Sequence, residues 1–462
     1  MYLRSFFDEK LAQYAYLIGC QRTGEAIVID PPRDSTEIQA VAKKEGLRIT
    51  AATETHIHAD FVSGSRQLAH DTNAHLYLSD EGDADWKYQY TDGLDVTMLK
   101  DGSTFSIGNI DFEVMHTPGH TPESISFVLT DRGGGATNPL GIFTGDFVFV
   151  GDIGRPDLLE KAAGVKESAE KGARQMYNSI QRFKALPDYL MVWPGHGAGS
   201  ACGKSLGAVP SSTVGYERQF NWALKEEDEA AFVAELLKDQ PEAPVYFAEM
   251  KKVNKMGPAI LEDRHIPEMT DKAAFEAALN DDNTFVLDTR PASVAEKTLA
   301  KGAINIPFNK AFTNWAGWLV KYDEKIVVIA DEANRTDIVD ALQSIHLDNV
   351  VAFVSPSLLS EVEVTSYDTV DVDQFKEEMD NSYVMDVRND VEWNDGHIDD
   401  AHHHFLGKLR ETTLPKDTPV LMHCQGGARS AIGASVLKSL GFEHVKHLAG
   451  GYGAYEKSGG KK

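Results

Sequence analysis

Several short stretches of this chain gather side chains that can hold a metal ion or carry sulfur. Thr55-His56-Ile57-His58-Ala59-Asp60-Phe61 sets two imidazoles and a carboxylate at alternate positions. Downstream come His116-Thr117-Pro118-Gly119-His120-Thr121, then Thr144-Gly145-Asp146, then Pro194-Gly195-His196-Gly197. Neutral imidazoles with a carboxylate suit zinc or iron(II). One such histidine alone would more often be an ordinary surface or hydrogen-bonded residue. Four motifs in order, each just past an apolar run, point instead to loops converging on an ion at one sheet edge.

A second chemistry lies near the end, in Leu421-Met422-His423-Cys424-Gln425-Gly426-Gly427-Ala428-Arg429-Ser430. Here an apolar strand runs through a cysteine turn into a predicted helix from Ala431 to Leu440. Backbone N–H groups and a helix N-terminus stabilise negative charge on sulfur. Gly426 and Gly427 let the backbone curl around it, and Arg429 adds a cation. These are the needs of a cysteine that holds a persulfide and presents it to an acceptor. Two further residues could touch substrate. Arg155, in Gly151-Asp152-Ile153-Gly154-Arg155-Pro156, could grip a carboxylate or phosphate through its planar fork; a surface salt bridge is the plainer reading. Cys202, in a glycine-rich loop six residues beyond His196, is either a reactive thiol or a passive one. Cys20, closing a strand, reads as core, and His116 receives no role.

The elements that must position these groups alternate between short β-rich runs and helices. Strands are expected at Ala26–Asp30, Leu47–Ala52, Phe112–Met115, Ser124–Leu129, Gly141–Phe143 and Leu190–Trp193, with a helix around Ile38 to Glu45. Val165, Ala169, Ala173, Met176, Ile180 and Phe183 recur at three- and four-residue spacing and mark an amphipathic helix. Pro241, Pro244, Pro258 and Pro267 punctuate a stretch read as a linker over 241–264, so the first domain is expected to span 1–240. An internal repeat follows. Thr284-Phe-Val-Leu-Asp288-Thr-Arg290 is echoed by Ser382-Tyr-Val-Met-Asp386-Val-Arg388, and Ile326–Ile329 by Pro419–Met422. Two α/β modules are therefore expected, at 265–360 and 366–458. Counting back from Arg335 places Ala330 where the second copy has Cys424, so the first copy lacks the nucleophile.

With 462 residues, 45 basic and 71 acidic side chains and a net charge of −26, the chain repels nucleic acid and anionic membrane. No run is long and apolar enough to span a bilayer. Three widely separated cysteines are not a disulfide framework and fit a reducing cytoplasm.

The order HxHxD, PGHT, TGD and PGH resembles the metallo-β-lactamase superfamily over residues 1–240, which implies an αβ/βα sandwich. Dinuclear hydrolases of that superfamily, such as glyoxalase II, carry a His directly after the Asp of HxHxD; here Phe61 stands there, and an aromatic ring cannot ligate. The sequence is closer to the persulfide dioxygenase branch, whose ligands carry over to His56, His120 and Asp146. That set is the two-histidine, one-carboxylate triad of non-haem iron enzymes, with positions left open. The resemblance thus implies one Fe(II) per chain, with His58, Asp60 and His196 orienting ligands or receiving protons, and Arg155 beside the thiol substrate. The 366–458 module resembles rhodanese sulfurtransferases, with Cys424 as the sulfur carrier. It departs at Gln425, where many rhodaneses have a second Arg, which weighs against thiosulfate as donor. The 265–360 module resembles a rhodanese without its cysteine. Together the domains resemble bacterial persulfide dioxygenase–sulfurtransferase fusions. The implied activity is oxidation of a low-molecular-weight thiol persulfide with O2 to sulfite, then transfer of sulfane sulfur through Cys424 to sulfite, giving thiosulfate. A cytoplasmic homo-oligomer is expected. Two other functions stay open: a zinc-dependent thioester hydrolase with accessory rhodanese modules, and a non-enzymatic sulfur relay.

Overall fold

The computed structural model describes residues 1–158, 160, 168–204, 206–240, 242–262 and 265–459. It divides into two compact units, Met1–Glu262 with Ser344–His346, and the remainder from Asp263 to Lys462.

The first unit is built on two six-stranded sheets. One runs in the order Tyr2–Asp8, Gln13–Cys20, Glu25–Ile29, Arg48–Thr53, His75–Ser79, Val96–Leu99; the other runs Ser212–Thr213, Met191–Pro194, Gly141–Gly145, Ile125–Asp131, Ile110–His116, Thr104–Ile107. Side chains alternate across a strand, and Gln13–Cys20 shows the consequence. Tyr16 and Ile18 enter the core between the sheets with Phe112, Phe127 and Phe143. Ala15 and Leu17 face outward, where Ile38, Val41 and Leu68 of two covering helices, Thr36–Lys44 and Ser65–Thr72, pack on them. The second sheet is covered by Ser168–Lys184 through Met176, Ile180 and Phe183. Both sheets are therefore buried on two faces, which explains near-continuous apolar strands in place of clean alternation. This is the expected αβ/βα sandwich. Of the residues proposed for the long helix, Val165 lies outside the described residues.

The stretch read as a linker contains a helix. Tyr246–Met256 buries Tyr246, Phe247, Met250 and Val253 and belongs to the first unit, which extends to Glu262 and not 240. Its apolar face was present in the sequence. The prolines misled because Pro244 and Pro258 bracket the helix and do not interrupt it; Pro241 lies outside the described residues.

The second unit holds two parallel sheets with the same strand order. The first runs Ile304–Asn305, Thr284–Asp288, Lys325–Ile329, Val350–Val354; the second runs His402–His403, Tyr383–Asp386, Val420–His423, Val445–Leu448, and ends on Asp368–Val370. Even that last strand has a counterpart, a parallel bridge from Glu268 to Phe353. Each copy folds its Asp-x-Arg into a fork. Arg290 Nη2 donates to Asp288 at 2.6 Å, and Arg388 Nη2 to Asp386 at 2.8 Å. No described helix is long and apolar enough to cross a membrane.

Candidate metal centre and sulfur-carrying loop

The strand Arg48–Thr53 ends just before the 55–61 loop, and the strands Ile110–His116, Gly141–Gly145 and Met191–Pro194 end at the other three motifs. Their loops meet at one edge of the sandwich. There His56 Nε2 lies 3.9 Å and His120 Nε2 3.5 Å from the same Asp146 oxygen, Oδ2. All three side chains are buried.

Hydrogen bonds fix which nitrogen of each ring faces inward. Thr55 donates its hydroxyl to Asp30, so the same oxygen accepts from Nδ1 of His56 at 2.9 Å. The carbonyl of Arg155 accepts from Nδ1 of His120 at 2.9 Å. Both Nδ1 atoms therefore carry hydrogen, and both Nε2 lone pairs point at a carboxylate oxygen. Burial, then the neighbouring His58, holds His56 well below the usual histidine range, and burial likewise lowers His120. Nε2 of His56 and Oδ2 of Asp146 have no hydrogen-bond partner. Buried acceptors facing one another without a donor are costly, and a cation among them removes that cost. The residues fit a divalent ion on this ground alone.

The neighbouring groups are arranged differently. His196 sits between two carboxylates, with Nδ1 2.6 Å from Asp146 Oδ1 and Nε2 2.6 Å from Asp60 Oδ2. Burial opposes a charge on its ring, but Asp146 and Asp60 outweigh it and raise His196 well above the ordinary range. In return, against its own burial, Asp146 is held well below the usual carboxylate range by His196 first, then His56 and His120. Gly195 makes the close approach possible, since a Cβ there would stand 2.6 Å from Asp146 Oδ1. Asp60, His196 and Cys202 bring a second set of three possible ligand atoms within 4.8 Å of one another. His58 is likewise occupied: burial disfavours its charge, but Asp30 at 3.0 Å lifts it to about 9. His116 lies outside the cluster, its Nε2 2.8 Å from the Pro122 carbonyl oxygen.

Cys202 and Arg155, each left with two readings by the sequence, are both buried. Cys202 is buried within 4.8 Å of ligand atoms on Asp60 and His196, inside the site and not at its mouth. Burial, then Asp60 and Asp146, pushes its thiol well up, so it stays protonated. Arg155 is fully buried and forks onto Asp157 at 2.8 and 2.7 Å. A guanidinium already paired two residues along its own chain is no free grip for a substrate anion; it braces the loop whose carbonyl orients His120. Sequence reasoning also missed Asn254. Its side-chain amide donates to the carbonyls of His58 and Phe61 at 2.8 and 2.7 Å and accepts from Ser63 N–H at 2.9 Å. The only signal for it was the short apolar repeat of its helix.

In the second unit, Cys424 follows the strand Val420–His423 and precedes the helix Ala428–Ser439, which begins three residues earlier than expected. Its sulfur is buried and accepts from Gly427 N–H at 3.1 Å. Gly427 has φ +98°, a left-handed conformation suited to glycine. Arg429 forks onto Glu392 at 2.6 Å through both terminal nitrogens, so its charge is shared with a carboxylate that the sequence did not single out. Arg388 reaches the loop, Nη1 donating to Gln425 at 3.2 Å. Ala330, the counterpart of Cys424, is buried after the strand Lys325–Ile329.

Comparison with known proteins agrees with this division. Residues 9–196 match the model of the metallo-beta-lactamase superfamily, and residues 371–458 that of the rhodanese-like domain. The mitochondrial persulfide dioxygenase ETHE1 of Bos taurus is 30% identical over 224 residues, 47% of this chain and 74% of that protein. The chain belongs to the metallo-β-lactamase superfamily. Within it, persulfide dioxygenase homologues match the N-terminal half, and a rhodanese-like domain follows at the C-terminus. A probable polyketide biosynthesis zinc-dependent hydrolase of Bacillus subtilis, PksB, is also 30% identical, over 194 residues, 42% of this chain and 76% of that one. Among solved structures, a metallo-beta-lactamase from Staphylococcus aureus subsp. aureus COL is 45% identical with a TM-score of 0.70, covering 77% of this chain and 99% of that one. Persulfide dioxygenase and zinc-dependent hydrolase relatives thus stand side by side, and homology supports a sulfur-handling enzyme without naming its metal.

Proposed function

We propose that the chain oxidises a low-molecular-weight thiol persulfide with O2 at one Fe(II), releasing sulfite and free thiol, and then makes thiosulfate through Cys424. The observation that carries this reading is the donor set. His56, His120 and Asp146 offer three acceptor atoms to a single ion, while Phe61, standing where dinuclear hydrolases carry a histidine, takes one ligand from a second site beside Asp60, His196 and Cys202. Fe(II) held by two imidazoles and one carboxylate supplies open positions where a sulfur ligand and O2 can be brought together. The chain's own contribution is orientation: Thr55 and the Arg155 carbonyl fix both ligand tautomers, and His196 Nδ1 holds Asp146 Oδ1 at 2.6 Å.

In the transferase step, Cys424 Sγ attacks the terminal sulfur of a second persulfide. A new S–S bond forms, the old one breaks, and the thiol departs. Sulfite then attacks that terminal sulfur, giving thiosulfate and returning the thiolate. The Gly427 N–H is placed to stabilise negative charge on the carrier. The middle copy, with Ala330 at the nucleophile position, is read as a rhodanese homologue without transferase activity. Carrying both activities on one chain raises the local concentration of sulfite near the carrier.

The test is anaerobic purification followed by metal analysis and O2 uptake with several thiol persulfides. About one iron per chain and persulfide-dependent uptake are expected. Two zincs per chain with thioester hydrolysis would sink the proposal in favour of a hydrolase.

A further inference from the structure

Of the three proposed ligands only His120 reaches solvent, at 6% exposure against 0% for His56 and Asp146. The opening is a slit of about 10 Å³ lined by Ile57, Ala59, Trp86, His120, Leu158 and Lys251. That is room for one water-sized group. A reacting end could enter, while the body of the molecule stays at the rim.

Lys251 stands at that rim, on the helix Tyr246–Met256. The helix carries two other lysines near it, and both have carboxylate partners: Lys252 with Glu249 at 3.5 Å and Lys255 with Asp85 at 3.9 Å. Among the described residues no carboxylate lies within ion-pair distance of Lys251. Its ammonium instead rests over the Trp86 ring, 3.7 Å from the centroid. An aromatic face holds the cation in place without using up its hydrogen-bond donors. Glu123 is the acid that acts on it most, but burial pushes that carboxyl up to about 7 and its Oε1 already accepts from Ile57 N–H at 2.7 Å. Since Arg155 is committed to Asp157, Lys251 is the described cation left at the mouth of the site.

We propose that Lys251 grips the anionic end, carboxylate or phosphate, of the thiol whose sulfur enters the slit beside His120. This rests on the persulfide reading for the identity of the sulfur group, but not for the anion grip itself.

The experiment uses the full chain and compares wild type, Lys251→Met and Lys251→Arg. Calorimetric binding of three unoxidised thiols, glutathione, coenzyme A and neutral 2-mercaptoethanol, is read beside KM and kcat for their persulfides. Losing one charge-assisted contact at a half-exposed site should weaken binding about five-fold. Lys251→Met should therefore lose that much for an anionic thiol, leave 2-mercaptoethanol unchanged and raise KM more than it lowers kcat; Lys251→Arg should restore binding. A loss confined to glutathione identifies a carboxylate, and one confined to coenzyme A a phosphate. Equal losses for charged and neutral thiols would make Lys251 a packing residue, and unchanged binding of both anionic thiols would remove it from the site; either overturns the proposal. If wild type binds the anionic thiol in a Lys251-dependent way but consumes no O2 with any persulfide, the dioxygenase reading fails and the grip stands.

Discussion

Replacing Asn254 by Ala should loosen the metal loop from a distance of nearly two hundred residues along the chain. The side chain is buried and satisfies three backbone groups of that loop: the carbonyls of His58 and Phe61 and the N–H of Ser63. A buried polar group left without its partner costs about 1–3 kcal/mol. Three such groups, with part of the loss recovered by water entering the gap, give about 3 kcal/mol. For a domain of this size each kcal/mol shifts the melting point by roughly 2–4 °C, so the first unit should melt about 6–12 °C lower by calorimetry. Because the same loop carries His56, metal affinity should fall by about 10–100-fold, as it does when groups supporting a ligand are removed. A chain truncated at 240, which lacks the helix, should show both defects more strongly. If Asn254→Ala melts within about 1 °C of wild type and keeps its full metal complement, the helix is a passive cover and the argument fails.

Cys424→Ser should leave metal content and O2 uptake near wild type while sulfite accumulates in place of thiosulfate, because no proposed metal ligand lies in the second unit and a serine oxygen cannot carry sulfane sulfur. Chromatography of derivatised products decides it, and thiosulfate formed above the uncatalysed rate would exclude Cys424 as carrier. Between pH 6.5 and 9 the metal-free protein should lose stability as pH rises: with His58 lifted to about 9, its contribution is fully present below the unfolded value near 6.5 and is lost as pH passes through 9. His58→Gln should flatten that slope, and a slope unchanged by the substitution would mean another group causes it. Ala330→Cys should not create a second transferase, and labelling of that cysteine by a persulfide donor would contradict the expectation.

Much of the site was legible because each proposed ligand lies within four residues of the end of a strand, and strand ends at one sheet edge must lie near each other. The repeat was legible for a similar reason, since Asp288-Thr-Arg290 and Asp386-Val-Arg388 recur with their strands. What could not be read were pairings made by tertiary placement. Nothing in the local sequence says that Arg155 turns back onto Asp157, or that Arg429 is answered by Glu392. Asp30 reads as the end of a buried strand, yet its φ of +50° turns its carboxylate toward Thr55 and His58. The helix carrying Lys251 and Asn254 was hidden by its flanking prolines, so the residues that complete the metal loop fell in what looked like a linker.

The two copies in the second unit separate scaffold from chemistry. Both keep the Asp-x-Arg fork, although only one has a cysteine, so the fork serves the fold first: it ties the end of the second strand to the loop beyond it. What differs is the turn after the next strand. In the copy that carries Cys424, Gly426 and left-handed Gly427 open the backbone so that an N–H can face the sulfur. In the middle copy the same positions hold Glu332 and Ala333 within a short 3-10 turn, Glu332–Asn334, preceded by Asp331. Two acidic side chains and no glycine make a poor setting for negatively charged sulfur, whatever residue stands at 330. On the proposed function the two copies thus differ in the whole loop and not only at 330, while the sheet around it keeps the same strand order.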